Sequence, residues 1–301
     1  MALQVQEKRV SSLLDSEFLK KLEQIRILSK KTFRGMMKGE RRSKKKGISV
    51  EFADYRNYAR GDDVRFIDWN IYSRLDRLFL KLFLEEEELF FYVLIDSSKS
   101  MSFGAPPKFD YAKKLGAALC YIALTNLDRV GIGIFGETIH NFYPPTRGKG
   151  HIWRLLNFLE NLSPEGKTSL KESARNFALK NKTRGIVILI SDLLDPTGFE
   201  EAFKWLSQGG FEIYIIHILS EDEINPTFAG HLELIDSETG EKIEVTANEA
   251  LIKIYKKTLN LFCDEVKKAC DKRAISYVPA STSLPFEQLI LHYLKKRGLL
   301  K

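Results

Sequence analysis

Apolar residues recur at three- and four-residue spacing over 11–28, where Leu14, Phe18, Leu22 and Ile25 share one face. That period predicts an amphipathic helix. From residue 89 the pattern becomes a regular alternation. Residues 89–95 (LFFYVLI) form an apolar run of strand length. A helix is predicted over 108–126, with Ala112, Leu115, Leu119 and Ile122 on one face. Short strands follow at 130–135 and 139–143, helices at 151–162 and 170–179, and a buried strand at 186–190. A helix at 199–206 and a strand at 211–219 come next. Segments 232–235 and 242–245 flank a turn at 237–240 and read as a hairpin. A long helix over 249–272, a strand at 275–278 and a helix at 286–296 complete the chain. Near-continuous apolar strands separated by helices predict an α/β fold, a doubly wound and mostly parallel sheet covered on both faces.

In such sheets ligands bind beyond the carboxyl ends of the strands, which directs attention to three places. After Ile95 the chain reads Asp96-Ser97-Ser98-Lys99-Ser100. After Ile190 it reads Ser191-Asp192, and the loop between these points supplies Thr168. Asp96, Ser98, Ser100, Thr168 and Asp192 are hard oxygen donors, suited to Mg²⁺, Mn²⁺ or Ca²⁺ rather than zinc. Neutral hydroxyls leave an ion's charge incompletely balanced, so an outside carboxylate is an attractive last ligand. The alternative reading is a loop whose hydroxyls only cap the next turn.

Charge adds a second feature. The 301 residues carry 47 basic and 40 acidic side chains, a net charge of +7. Residues 1–46 hold 14 basic and 5 acidic ones, so the remaining 255 residues carry a slight negative excess. Residues 30–46 contain nine basic side chains against Glu40 alone. Such a run meets nucleic acid, an anionic membrane or an acidic partner, or is simply a solvated arm. Phe33 is its single ring, so base stacking is not indicated. Hydrophobic residues make up 44% of the chain and charged residues 29%, excluding a disordered or collagenous protein. No apolar run approaches the ~20 residues of a membrane helix, and the N-terminus lacks a signal-peptide core. Cys120, Cys263 and Cys270 have no metal-ligand spacing with a His. A reducing, cytoplasmic location is expected.

The pattern Asp-x-Ser-x-Ser after an apolar strand, a later loop Thr and a later strand-end Asp resembles the metal-ion-dependent adhesion site of von Willebrand factor A domains. The resemblance implies a Rossmann-like fold over about 89–280. It also implies that Asp96, Ser98, Ser100, Thr168 and Asp192 hold a divalent ion, which captures an acidic side chain of a protein partner. The Thr loop departs from the usual Gly-Gly-Thr by reading Gly166-Lys167-Thr168. A second resemblance is carried by Glu51-Phe52, Arg56, Tyr58, Gly61-Asp62-Asp63, Arg65, Ile67-Asp68-Trp69, Arg74 and Lys81-Leu82-Phe83. This set is similar to the signature of the bacterial and archaeal domain of unknown function 58 family. Gly39, Ser43, Gly47, the 236–240 turn, Tyr255 and Arg297-Gly298 also fit. The family resemblance implies an adaptor or assembly role with a MoxR-type AAA+ ATPase or its client. The expected organisation is then a basic helical arm at 1–46, a signature segment at 47–88 packed on the core, and a von Willebrand factor A-like domain at 89–301. A hairpin is inserted in the last near 231–246. Arg56, Arg65 and Arg74 with Asp62, Asp63 and Asp68 are expected to form an ion-pair network.

Three other chemistries fit poorly. Gly166-Lys167-Thr168 imitates the end of a phosphate-binding loop, but Asn161 stands where its first Gly belongs and a helix, not a strand, precedes it. A haloacid-dehalogenase nucleophile at Asp96 needs a second Asp at position 98, which is Ser. No Gly-x-Ser-x-Gly elbow is present, and the five His residues are scattered. His217 lies in a buried strand and reads as a core residue. A metal-dependent hydrolase lacks a general base near Asp96. The expectation is therefore a non-enzymatic binding protein. A nucleic-acid or anionic-surface binder acting through 30–46 is the alternative.

Overall fold

A computed structural model describes residues 13–25, 27, 51–84, 89–227, 230–237, 240–294 and 299. The basic run at 30–46, Gly39, Ser43, Gly47 and Arg297-Gly298 lie outside the described residues. The chain divides into two compact units, one spanning 32–88 and one formed by 1–31 with 89–301.

In the smaller unit, β1 (Glu51–Asn57) pairs antiparallel with β2 (Phe79–Leu84), and α2 (Trp69–Leu75) lies between them in sequence. Asp68 anchors the turn into α2. Its carboxylate accepts from the backbone of Asn70 at 2.9 Å and Ile71 at 3.3 Å, from the Tyr55 hydroxyl at 3.1 Å, and from Lys81 at 3.1 Å. The Lys81 ammonium holds the Asp68 carboxyl below the usual carboxylate range. Arg56 pairs with Asp62 and Arg65 with Asp63, both at the surface. The expected network is thus a set of separate local pairs, and Arg74 joins none of them among the described residues.

The larger unit contains α1 (Ser16–Leu22), β3 (Phe90–Asp96), α3 (Lys108–Thr125), β4 (Arg129–Phe135), β5 (Ile139–Arg147), α4 (Ile152–Glu160) and α5 (Leu170–Lys180). It continues with β6 (Gly185–Ser191), α6 (Glu200–Gln208), β7 (Glu212–Leu219), α7 (Glu221–Ile224), β8 (Gly230–Ile235), β9 (Lys242–Ala247), α8 (Glu249–Asp271), β10 (Ser276–Ser281) and α9 (Phe286–Gln288). A π-helical stretch, Leu289–Leu294, follows α9. Six strands form one sheet in the order β10-β7-β6-β3-β4-β5, parallel except for β5. The fold is the doubly wound, mostly parallel α/β class expected. Pro144 and Pro145 lie within β5, which is tolerable because it is an edge strand.

Strand residues alternate between two cores. Phe91, Val93 and Ile95 face α1, α3 and α4; Tyr92 and Leu94 face α5, α6 and α8. Over β3 the helix α3 comes so close that a Cβ on Gly116 would stand 2.9 Å from Ile95 Cδ1. The predicted N-terminal helix stops at Leu22, and backbone turns carry Ile25 to a half-buried place. Leu14, Phe18 and Leu22 are buried, and Phe18 meets the Phe286 ring edge-on at 5.3 Å. On the opposite core face Phe177 packs against Tyr92 at 5.0 Å and Phe211 at 5.4 Å between ring centroids. Phe177→Ala should lower the unfolding free energy by about 3–5 kcal/mol, read from urea denaturation.

His217 is fully buried on β7, with its Nδ1 2.9 Å from the Tyr277 hydroxyl. Burial holds its imidazolium down, to a pKa of about 4, with the Asp192 carboxylate offsetting part of the shift. A depressed folded-state pKa contributes stability above the ordinary His value of about 6.5 that is lost as pH falls through 4. His217→Gln, which still offers Tyr277 a partner, should flatten the decline of the urea midpoint between those two pH values.

Candidate metal centre

β3 and β6 are neighbours, and Ile95 aligns with Ile190, so Asp96 emerges beside Ser191 and one step from Asp192. The chain runs from β3 to β4 on one side and later returns to β6 on the other. This is a topological switch point, where a crevice opens in such sheets.

Each side chain is placed by local geometry. Asp96 Oδ1 accepts from the Ser98 backbone at 2.9 Å, a short Asx turn that bends the chain off the strand. A 3₁₀ turn, Lys99–Ser102, follows, and the buried Met101 pins it down. Ser98 and Ser100, two residues apart, bring their hydroxyls to 3.0 Å of each other. Ser100 donates to Asp192 Oδ2 at 2.8 Å. Ser191 donates to Asp96 Oδ2 at 2.6 Å and accepts from the Leu193 backbone at 2.8 Å. Leu193 holds φ at +58°, a left-handed conformation costing roughly 1–2 kcal/mol in a residue with a Cβ. The kink lets the Leu194 backbone donate to Asp192 Oδ1 at 3.1 Å.

The Thr loop is pinned to the same place. The Lys99 backbone donates to the Gly166 carbonyl at 3.1 Å, and the Glu165 backbone to the Ser97 carbonyl at 2.6 Å. Gly166, at φ +74°, makes the turn that a residue with a Cβ would strain. Two residues on, Thr168 is 7% exposed, and its Oγ1 is buried without a hydrogen-bond partner among the described residues. Lys167 is exposed and makes no ion pair there.

The structure therefore joins Asp96, Ser98, Ser100 and Asp192 in one hydrogen-bonded cluster, and ties the Thr168 loop to its edge. Asp96, Ser98 and Asp192 are fully buried. Burial and the nearby Asp192 charge push the Asp96 carboxyl above the usual carboxylate range. Asp96, Ser98, Ser100 and Asp192 bring two carboxylates among them; no group of three or more His, Cys, Asp or Glu side chains forms a metal site among the described residues. Hydroxyl oxygens have to supply the rest of any shell. The donors present fit a hard divalent ion on that basis, and the orphaned Thr168 hydroxyl is the feature that hydrogen bonding leaves unexplained.

Inspection of the sequence missed two members of the cluster. Lys108, the first residue of α3, is fully buried and donates to Asp192 Oδ2 at 2.8 Å and to Glu223 Oε1 at 2.5 Å. Burial alone would push its ammonium down, but Asp192 and Glu223 outweigh this and hold it above the usual lysine value. A signal existed: a lysine in the first turn of a helix runs against the macrodipole and needs a local reason. Glu223 closes a capping box with Ser220, a pattern visible in Ser220-Glu221-Asp222-Glu223.

The sequence matches the family described as protein of unknown function DUF58 over residues 54–260. The chain belongs to that family. No curated protein matches it. Among solved structures, the DUF58 chain is similar to BatB from Bacteroides thetaiotaomicron, at 18% identity and TM-score 0.44, covering 69% of this chain and 98% of that one. It is similar to the SpRpn10 VWA domain at 14% identity and TM-score 0.39, covering 68% and 94%. It is also similar to proximal thread matrix protein 1 of the mussel byssus, described with a zinc-occupied MIDAS motif, at 17% identity and TM-score 0.37, covering 44% and 38%.

If the oxygen cluster takes a divalent ion, millimolar Mg²⁺ or Mn²⁺ should raise the melting temperature of this DUF58 protein in proportion to the logarithm of its concentration. Asp96→Asn should abolish that rise and leave a cooperative melt in chelator.

Proposed function

We propose that this chain is a non-enzymatic protein-binding module that captures an acidic side chain of a partner through a divalent ion. Asp96, Ser98, Ser100, Thr168 and Asp192 hold the ion, with Mg²⁺ as the leading candidate and Mn²⁺ or Ca²⁺ also suited to the oxygen donors. The carrying observation is the buried Thr168 hydroxyl without a partner, on a loop pinned to the Asp96 turn. When bound, the ion offers a coordination position that two carboxylates and neutral hydroxyls leave open to an external oxygen anion.

The chain's own residues support capture rather than turnover. Ser97 donates to the Phe135 carbonyl, and its Oγ lies 3.5 Å from the ring of His140, too long for a firm hydrogen bond. His217 is buried and neutral, so it is no general base facing solvent. The partner class we favour is a MoxR-type AAA+ ATPase or its client, in complex assembly or maturation. That choice rests on the family resemblance of the 51–83 signature. No helix among the described residues is long and apolar enough to cross a membrane, and we place the protein's work in the cytoplasm.

The test is capture of a purified candidate ATPase on immobilised full-length protein. Binding should require Mg²⁺, vanish in chelator and with Asp96→Ala or Thr168→Ala, and survive moderate salt. Binding that ignores chelator but collapses steeply with salt, and disappears on deleting 30–46, would instead favour the basic run and a nucleic-acid or anionic-surface ligand.

A further inference from the structure

Lys108 and Glu223 are the charged side chains of this cluster that the oxygen shell does not use. Lys108 is wholly buried, and its two ion pairs go to Asp192 at 2.8 Å and Glu223 at 2.5 Å. None of its hydrogen bonds reaches Asp96, Ser98, Ser100 or Thr168. The ammonium therefore bonds to the proposed oxygen shell through Asp192 alone. Glu223 is fixed in turn: its Oε2 accepts from the Ser220 backbone at 2.7 Å, and its own backbone N–H donates to Ser220 Oγ at 3.2 Å. Ser220 is fully buried, and the Glu223 side chain is only 14% exposed. Neither member of the pair is free to swing away from the site.

The charges then count in a definite way. With a cation in place to hold Asp96 ionised, Asp96, Asp192 and Glu223 bring three negative charges and Lys108 one positive charge. The Lys108–Glu223 pair cancels internally and leaves the two of Asp96 and Asp192. Fully buried charge has to be matched within the protein or by a bound ion, because water is not there to screen it. A doubly charged cation matches this remainder.

We propose that Lys108 and Glu223 are a charge-setting pair that fits the site to divalent cations and holds Asp192 in place for them. The inference rests on reading Asp96, Ser98, Ser100, Thr168 and Asp192 as a cation site. Lys108 positions Asp192 by taking one lone pair of Oδ2 beside the Ser100 hydroxyl. Glu223 cancels the ammonium, which would otherwise repel the ion. Removing one member shifts the local charge by one unit, and that shift acts half again as strongly on a trivalent ion as on a divalent ion. The ratio of trivalent to divalent affinity therefore reports the pair's electrostatic role. Loss of stability alone lowers both affinities and leaves their ratio in place.

The experiment compares Ca²⁺ and Tb³⁺, ions of similar size, on the full-length protein. Ca²⁺ is measured by calorimetry and Tb³⁺ by its luminescence. Glu223→Gln should lower the Tb³⁺/Ca²⁺ affinity ratio by about tenfold or more, and Lys108→Met should raise it by about as much. The double variant Lys108→Met with Glu223→Gln removes both charges and should return the ratio to within about threefold of the wild type. If Lys108→Met does not fold, the fall in Glu223→Gln and its reversal in the double variant carry the result. Ion binding that persists with an unmoved ratio in Glu223→Gln overturns the charge-setting role and leaves the cation site standing. A wild-type protein that binds neither ion, or binds them equally well as Asp96→Asn, overturns the cation site itself and this inference with it.

Discussion

Two carboxylates with no solvent exposure sit at the ends of adjacent parallel strands, and the upper half of the larger unit is arranged around that constraint. A buried carboxylate is costly unless its oxygens are hydrogen-bonded or paired. Here a serine hydroxyl and a backbone amide serve Asp96, while a serine hydroxyl, a lysine ammonium and a backbone amide serve Asp192. These five groups come from three segments of the chain. The loop after β3, the start of α3 and the loop after β6 are therefore locked to one another by the need to satisfy these oxygens. The left-handed Leu193 is stable only in that setting, because nothing in an isolated chain would repay it.

The sheet below makes the constraint possible. Six strands with two buried faces supply a rigid frame, and α3 covers β3 closely enough to require Gly116. The strand order changes direction between β3 and β6, so the two carboxylates arrive side by side from segments nearly a hundred residues apart. The antiparallel edge strand β5, with its two prolines, closes one side where a further parallel strand would need another crossover. Function-bearing residues thus sit on loops, but on loops whose ends are held by the sheet.

Much of this was legible in the residues. The α/β alternation from 89 onward is written in apolar runs, and Asp96, Ser98, Ser100 and Asp192 stand where strand-end reasoning looks for a ligand. Thr168 was legible as a loop hydroxyl; that its oxygen would be buried and unpaired was not. Lys108 carried only the signal of a cation in a first helical turn, which after two prolines also reads as a solvated helix start, and only the fold brings Asp192 and Glu223 to it from 84 and 115 residues away. Ser220-x-x-Glu223 was readable as a cap, but its second bond depends on α3. The signature segment was misread differently. Arg56, Asp62, Arg65 and Asp63 were grouped by charge, whereas spacing along the chain already favours the local pairs that form. Its strands and short helix were hidden by mixed polar residues that obscure either period.

The hydrogen bonds that organise the cluster also bear on how firmly it can hold an ion. Ser98, Ser100 and Asp192 already share two short contacts, so a coordinating role for them exchanges existing bonds for new ones and the net gain is small. Thr168 differs. Its hydroxyl has no protein bond to lose, and leaving it unsatisfied costs on the order of 1–3 kcal/mol. Its loop is fixed by two backbone bonds to the Asp96 turn, so little ordering remains to be done on binding. In the proposed site the carboxylates provide the charge, but the largest gain per atom comes from the Thr168 oxygen, which the fold has buried without a partner.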